Sequence, residues 1–136
     1  MMKIAPSMLS SDFARMGEET RRMDQAGADL IHLDVMDGSF VPNLTFGAPV
    51  IAAIRPYTAV PFDVHLMILR PQQYIADFAK AGADSITFHL ESEGDPAETI
   101  RLIREAGCRP AAALKPGTPA EAVFPYLAEL SMVLVM

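Results

Sequence analysis

From Leu30 to Gly38 hydrophobic and polar side chains alternate: Ile31, Leu33 and Val35 fall on one parity and His32, Asp34 and Met36 on the other. A period of two predicts a strand, with one apolar face and one face carrying an imidazole and a carboxylate. Asp37-Gly38 closes it in a turn, which is the ordinary role for that pair. Residues 62–67 repeat the arrangement, with Phe62, Val64 and Leu66 on one side and Asp63, His65 and Met67 on the other. Two such strands side by side bring two imidazoles and a carboxylate to one place.

Strand-like and helix-like segments alternate along the whole chain, the pattern of βαβ units on a parallel sheet. Six strands are predicted, over residues 3–7, 30–38, 62–67, 85–90, 109–114 and 132–136. The first helix starts at a cap among Ser10, Ser11 and Asp12, shows Phe13, Met16, Thr20 and Met23 at helical spacing, and stops at Gly27. A short helix over 49–54 follows the partly apolar loop 39–47, which reads either as a flap over the site or as a surface excursion. The third helix opens with Pro71, turns Tyr74, Ile75 and Phe78 inward, and stops at Gly82. Asp95-Pro96-Ala97-Glu98 and Thr118-Pro119-Ala120-Glu121 both spell a capping box, in which the cap oxygen and the later Glu satisfy free backbone N–H groups. Ala26-Gly27-Ala28-Asp29 recurs as Ala81-Gly82-Ala83-Asp84, each marking a helix stop followed at once by a strand.

Parity selects the architecture. Central strands of an open doubly wound sheet are covered on both faces and are apolar on both. Here one parity stays apolar, whereas the other carries Lys3, Ala5 and Ser7; His32 and Asp34; Asp63 and His65; Ser85, Thr87 and His89; and Ala111, Ala113 and Lys115. Polar groups from five successive strands need a shared interior, which a (β/α)₈ TIM barrel provides. Residues 1–136 are therefore expected to form a single domain, the N-terminal portion of such a barrel: about six strands of eight, truncated. A complete barrel typically takes ~250 residues.

Composition narrows the classes. Half the residues are hydrophobic and the formal charge is −6, with 11 scattered basic residues, which disfavours a nucleic-acid partner held through many phosphate contacts. No apolar run is long enough for a signal peptide or a membrane span, so a soluble, cytoplasmic protein without a membrane partner is expected. The lone Cys108 reads as a small buried thiol.

His32, Asp34 and His65 have the types and placement for a divalent cation, since imidazoles with a carboxylate suit Zn²⁺, Fe²⁺, Co²⁺ or Mn²⁺. A cation beside a carboxylate at the C-terminal rim of barrel strands points to proton transfer at a carbon next to a carbonyl, with Asp34 able to serve as both ligand and base. Met36, Met67 and Met136 read as a soft, proton-inert wall around an intermediate or as plain core residues. Ser7 ends the first strand on the inward parity, where its hydroxyl can touch substrate; Ser10 and Ser11 lie nearer the helix and suit capping better. Lys3 and Asp63 read as a buried ion pair plugging the barrel bottom, and His89 and Lys115 as structural or supporting groups at strand ends.

Taken together, Ile4-Ala5-Pro6-Ser7, His32-Leu33-Asp34-Val35-Met36-Asp37-Gly38, Val41-Pro42-Asn43, Phe46-Gly47, Asp63-Val64-His65-Leu66-Met67, Thr87-Phe88-His89-Leu90-Glu91 and Lys115-Pro116-Gly117-Thr118 resemble the ribulose-phosphate 3-epimerases along the whole chain. The resemblance implies a (β/α)₈ isomerase that interconverts D-ribulose 5-phosphate and D-xylulose 5-phosphate by two-base proton transfer at C3 with a divalent metal. It implies His32, Asp34 and His65 as metal ligands, Asp34 as one acid/base carboxylate, Ser7 and His65 as substrate contacts, and Met36, Met67 and Met136 as a cap. The family's fourth ligand, which is its second acid/base Asp, and its glycine-rich phosphate turns would lie beyond residue 136, so the isolated fragment is expected to be inactive or nearly so. A homo-oligomer is expected. Two other readings stand beside this one: a 3-epimerase of a six-carbon ketose 6-phosphate such as allulose 6-phosphate, and a non-catalytic half-barrel that assembles through exposed strand edges. Barrel decarboxylases and aldolases would normally place Lys where His32 and His65 stand.

Overall fold

Five of the six expected strands pair into one parallel sheet in chain order: β1 (Ile31–Met36), β2 (Phe62–Met67), β3 (Ser85–His89), β4 (Arg109–Leu114) and β5 (Met132–Val135). This is a computed structural model describing residues 1–136. The strand order never reverses, so the sheet lacks the switch point of an open doubly wound fold and winds as a portion of a barrel. Helix α1 (Met16–Gln25) precedes β1, and α2 (Ala48–Ile54), α3 (Ile75–Ala81) and α4 (Pro96–Glu105) make the crossovers from β1 to β4.

The apolar parity drives the packing. Ile31, Leu33, Phe62, Val64, Leu66, Ile86, Phe88 and Ala112 are buried with Ile51, Ile54, Ile75, Phe78, Ile100 and Ile103 of the helices in one core cluster. Removing such side chains from water supplies most of the stabilisation, at roughly 25 cal/mol per Å² of apolar surface. The opposite parity is left to line the inner face.

Residues 3–7 do not form the expected strand. They run extended beside β1, with the Ile4 and Pro6 carbonyls accepting from Leu30 and His32, but only Ser7 makes a bridge, to His32. Pro6 has no N–H to donate, which interrupts any ladder on its side. The first helical turns also differ. Ser7, not Ser10 or Ser11, caps a 3₁₀ turn at Met8–Ser10, and Asp12 caps a second at Phe13–Arg15 before α1 begins. Tyr74 points outward, 47% exposed, while Ile75 and Phe78 are buried as expected.

Of the two capping boxes, only the first caps. The Asp95 carboxylate accepts from Ala97 N–H at the start of α4. Thr118 instead donates its hydroxyl to Glu91, and residues Ala120–Glu129 form 3₁₀ turns with Pro125 inside them. The repeated Ala-Gly-Ala-Asp segments behave alike. Gly27 (φ 87°) and Gly82 (φ 112°) take the left-handed conformation that ends a helix, and the next residues, Ala28 and Ala83, bond back to Met23 and Phe78. Asp29 and Asp84 then accept from the backbone N–H of Ile4 and Phe62, each at 2.8 Å.

The loop after β1 lies across the strand ends, which favours the flap over the surface excursion. Asp37 fixes its base by accepting from Ser39, Phe40 and Leu69 N–H at 2.7–2.8 Å. The Phe40 ring packs 4.9 Å from the His89 ring and lies 3.8 Å beneath the Lys115 ammonium.

Candidate metal centre

β1 and β2 pair in a register that sets Asp34 opposite His65 and His32 opposite Asp63, so the inward side chains of two strands meet in one layer. His32 Nε2 lies 3.1 Å and His65 Nδ1 2.9 Å from the same oxygen, Asp34 Oδ1. One donor atom from each residue lies within 4.8 Å of the others. Two ligands of one first-row cation stand roughly 2.9–3.4 Å apart, given bonds of about 2.1 Å in octahedral or tetrahedral geometry, and the separations of the two imidazole nitrogens from Asp34 Oδ1, 3.1 and 2.9 Å, fall in that range.

Each donor is held from behind. Asp63, 2% exposed, accepts from His32 Nδ1 at 2.8 Å and from the Ser85 and Thr87 hydroxyls at 3.0 Å. This overturns the Lys3–Asp63 ion pair expected from parity: Lys3 is exposed, and Asp63 is saturated by groups on β1 and β3. His65 contacts His89 through Nε2 to Nε2 at 2.8 Å, and His89 Nδ1 faces Glu91 Oε2 at 3.1 Å. Glu91 Oε1 accepts from Lys115 N–H and the Thr118 hydroxyl, both at 2.6 Å. Ser7 donates to Asp34 Oδ2 while accepting from Leu9 N–H.

The electrostatics follow from these contacts. Burial alone lowers the His32 pKa, but bonds to Asp34 and Asp63 outweigh it and push it up to about 9. His32 faces a carboxylate with each ring nitrogen, so without a cation it is satisfied only as imidazolium. A divalent cation in place of the Nε2 proton meets the same demand, so the donor set fits a metal. Burial likewise works against the Asp34 and Asp63 carboxylates, yet their imidazole and hydroxyl partners hold both below the usual carboxylate range. Burial, with the neighbouring His65, lowers His89 to about 4.

The other residues singled out by sequence fall at different distances from this cluster. Met36 and Met67 end β1 and β2 in register, with Met67 buried, whereas Met136 is 48% exposed beyond β5. Cys108 is buried and donates to Ala83 O, outside the site. Glu91 escaped sequence reasoning although its signal was present: His89-Leu90-Glu91 has the same spacing as His32-Leu33-Asp34. Thr45 was missed too; its hydroxyl donates to Asp34 O and accepts from Met36 N–H, pinning the flap to β1. No sequence spacing announces that contact. No helix is long and apolar enough to cross a membrane.

Comparison with known proteins places the chain as a whole. The family described as "Ribulose-phosphate 3 epimerase family" matches residues 3–136. The chain is 53% identical to the cytoplasmic isoform of ribulose-phosphate 3-epimerase of Oryza sativa subsp. japonica, over 98% of this chain and 60% of that protein. It is 48% identical to ribulose-phosphate 3-epimerase of Bacillus subtilis (strain 168), over 100% of this chain and 63% of that one. It thus spans about three-fifths of the length of these curated relatives. A mutant tryptophan synthase alpha-subunit from Pyrococcus furiosus superposes with a TM-score of 0.70 at 15% identity, covering 98% of this chain and 64% of that one. A mandelate oxidase mutant does so with a TM-score of 0.67 at 17% identity, covering 92% and 46%. These likenesses show the fold alone, the α/β barrel already visible in the strand order. The family match over residues 3–136 and the identity to curated relatives along the whole chain show that it belongs to the ribulose-phosphate 3-epimerase family.

Proposed function

We propose that this chain carries the cation-binding part of an isomerase that epimerises D-ribulose 5-phosphate to D-xylulose 5-phosphate at C3, through an enediolate. The observation that carries the reading is the convergence of His32 Nε2, Asp34 Oδ1 and His65 Nδ1 at the inner ends of β1 and β2. These three residues would hold a divalent cation, with Zn²⁺, Fe²⁺, Co²⁺ and Mn²⁺ all compatible with two nitrogens and one oxygen. When bound, the cation supplies positive charge where negative charge develops on the substrate oxygens.

The chain's own groups do the rest. Asp34 is kept ionised by its partners, so its carboxylate can take the C3 proton; its second oxygen meets the Ser7 hydroxyl, which would touch substrate from beside that carboxylate. His65 lies against the same carboxylate and would contact substrate from the β2 side. Met36 and Met67 offer thioethers that neither give nor take protons, which suits the wall of a site handling a reactive enediolate. The family resemblance would assign the second acid/base carboxylate, which is also the fourth ligand, and the phosphate turns to sequence after residue 136.

The test is metal titration and turnover on the 136-residue chain. It is expected to take up one Zn²⁺ or Mn²⁺, to lose at least tenfold in affinity in His65→Ala, and to epimerise D-ribulose 5-phosphate barely or not at all. No uptake, or uptake indifferent to His65→Ala, overturns the cation site; substantial turnover by the isolated chain overturns the division of labour.

A further inference from the structure

The contact between His65 and His89 poses a proton-placement problem. A 2.8 Å approach of Nε2 to Nε2 holds one proton, so one ring donates and the other accepts. Both rings are buried, at 3% and 1% exposure, so water cannot relieve the constraint. The far nitrogens of this two-ring chain each face a carboxylate, Asp34 at one end and Glu91 at the other. Glu91 cannot turn away: its other oxygen is engaged by the Lys115 backbone N–H, which can only donate, and by the Thr118 hydroxyl.

We propose that Glu91, acting through His89, is the positioning residue that decides which nitrogen of His65 carries its proton. A carboxylate only accepts, so Glu91 keeps a proton on His89 Nδ1. His89 Nε2 then accepts from His65 Nε2–H, and the Nδ1 lone pair of His65 is left for a cation shared with Asp34, which would stand between these two acceptors. This assignment rests on His65 being a ligand, as argued above. His32 reaches the same end more directly, through the carboxylate of Asp63.

Glu91→Gln inverts the relay with little change of shape. The amide oxygen must stay on Lys115 N–H, so the NH₂ group replaces the oxygen facing His89 and donates to its Nδ1. His89 then carries its proton on Nε2 and donates to His65, whose own proton moves to Nδ1, where it blocks the cation. Glu91→Ala removes the bias without reversing it.

Long-range ¹H–¹⁵N spectra of the chain, metal-free and with Zn²⁺, read the protonated nitrogens directly, and competition with a chelator reads affinity. His89 is expected to carry a proton on Nδ1 in the wild type in both states and to lose it in Glu91→Gln. Zn²⁺ affinity is expected to fall about 10–100-fold in Glu91→Gln and less in Glu91→Ala. A merely structural Glu91 gives the opposite order, with the near-isosteric Gln closest to wild type, and that order overturns the proposal. So does a bare His89 Nδ1 in the wild-type chain, a result that stands even if a variant fails to fold. If the wild type takes up no Zn²⁺, the cation reading falls, and the His89 spectra still decide the relay.

Discussion

The inward faces of β1–β3 and of β4 are both buried, yet one is crowded with partnered polar groups and the other presents methyl groups. His32, Asp34, Asp63, His65, Ser85, Thr87 and His89 meet one another in hydrogen bonds, and no buried side-chain polar atom lacks a partner. Opposite Thr87 and His89 in the register, β4 supplies Ala111 and Ala113. The contrast teaches that chemistry in this sheet is built by pairing across adjacent strands, while the next strand serves by being small. Its contribution comes instead from the turn after it, where Lys115 and Thr118 hold Glu91.

The sharpest way to break the contrast is Asp63→Ala. It strands the His32 Nδ1–H and the Ser85 and Thr87 hydroxyls without their acceptor, and is expected to destabilise the metal-free chain by about 3–5 kcal/mol in urea unfolding. Ala113→Leu attacks the other face, forcing a larger side chain toward His89, for a loss of about 1–3 kcal/mol from overpacking. If the leucine variant loses as much as Asp63→Ala, or nothing, the two faces are not distinguished by polarity and space as described.

Glu91→Ala sharpens the role of the β4 turn and is the smallest effect, about 1 kcal/mol near neutral pH. Burial works to raise the Glu91 pKa, but the Thr118 hydroxyl and Lys115 N–H outweigh it and hold the carboxyl below its ordinary 4.5. Its folded value is thus the lower one. The stabilisation is fully present above pH 4.5 and fades as pH falls through the folded value, so the gap between wild type and variant should close in acid. A gap that widens as the solution is acidified would contradict the direction of that shift.

Much of the sheet was legible because strand parity is local. The spacing delimits residues 62–67 and 109–114 residue for residue, and the confinement of polar groups to one parity points to a barrel interior. What escaped depended on competition between partners distant in sequence. Residues 3–7 have strand-like alternation, but Pro6 withholds a donor. Thr118 has the spelling of a cap, but its hydroxyl donates to a carboxylate on another unit. Asp63 looked like the partner of a lysine because parity says which way a side chain points and not which of several inward groups it reaches. His32, Asp34 and His65 were legible as a set for the same reason the strands were, and so was His89 as a supporting group, but the carboxylates that Asp63 turns to His32 and Glu91 turns to His89 were not.

The two carboxylates that follow the helix-ending glycines have one further consequence. Asp29 clasps Ile4 and Asp84 clasps Phe62, so each clasp reaches back toward the N-terminus onto backbone already made. As the chain emerges from the ribosome, these two units can therefore each dock on the segment made before them, and the inward side chains of β1 and β2 can come together while later strands are still being synthesised.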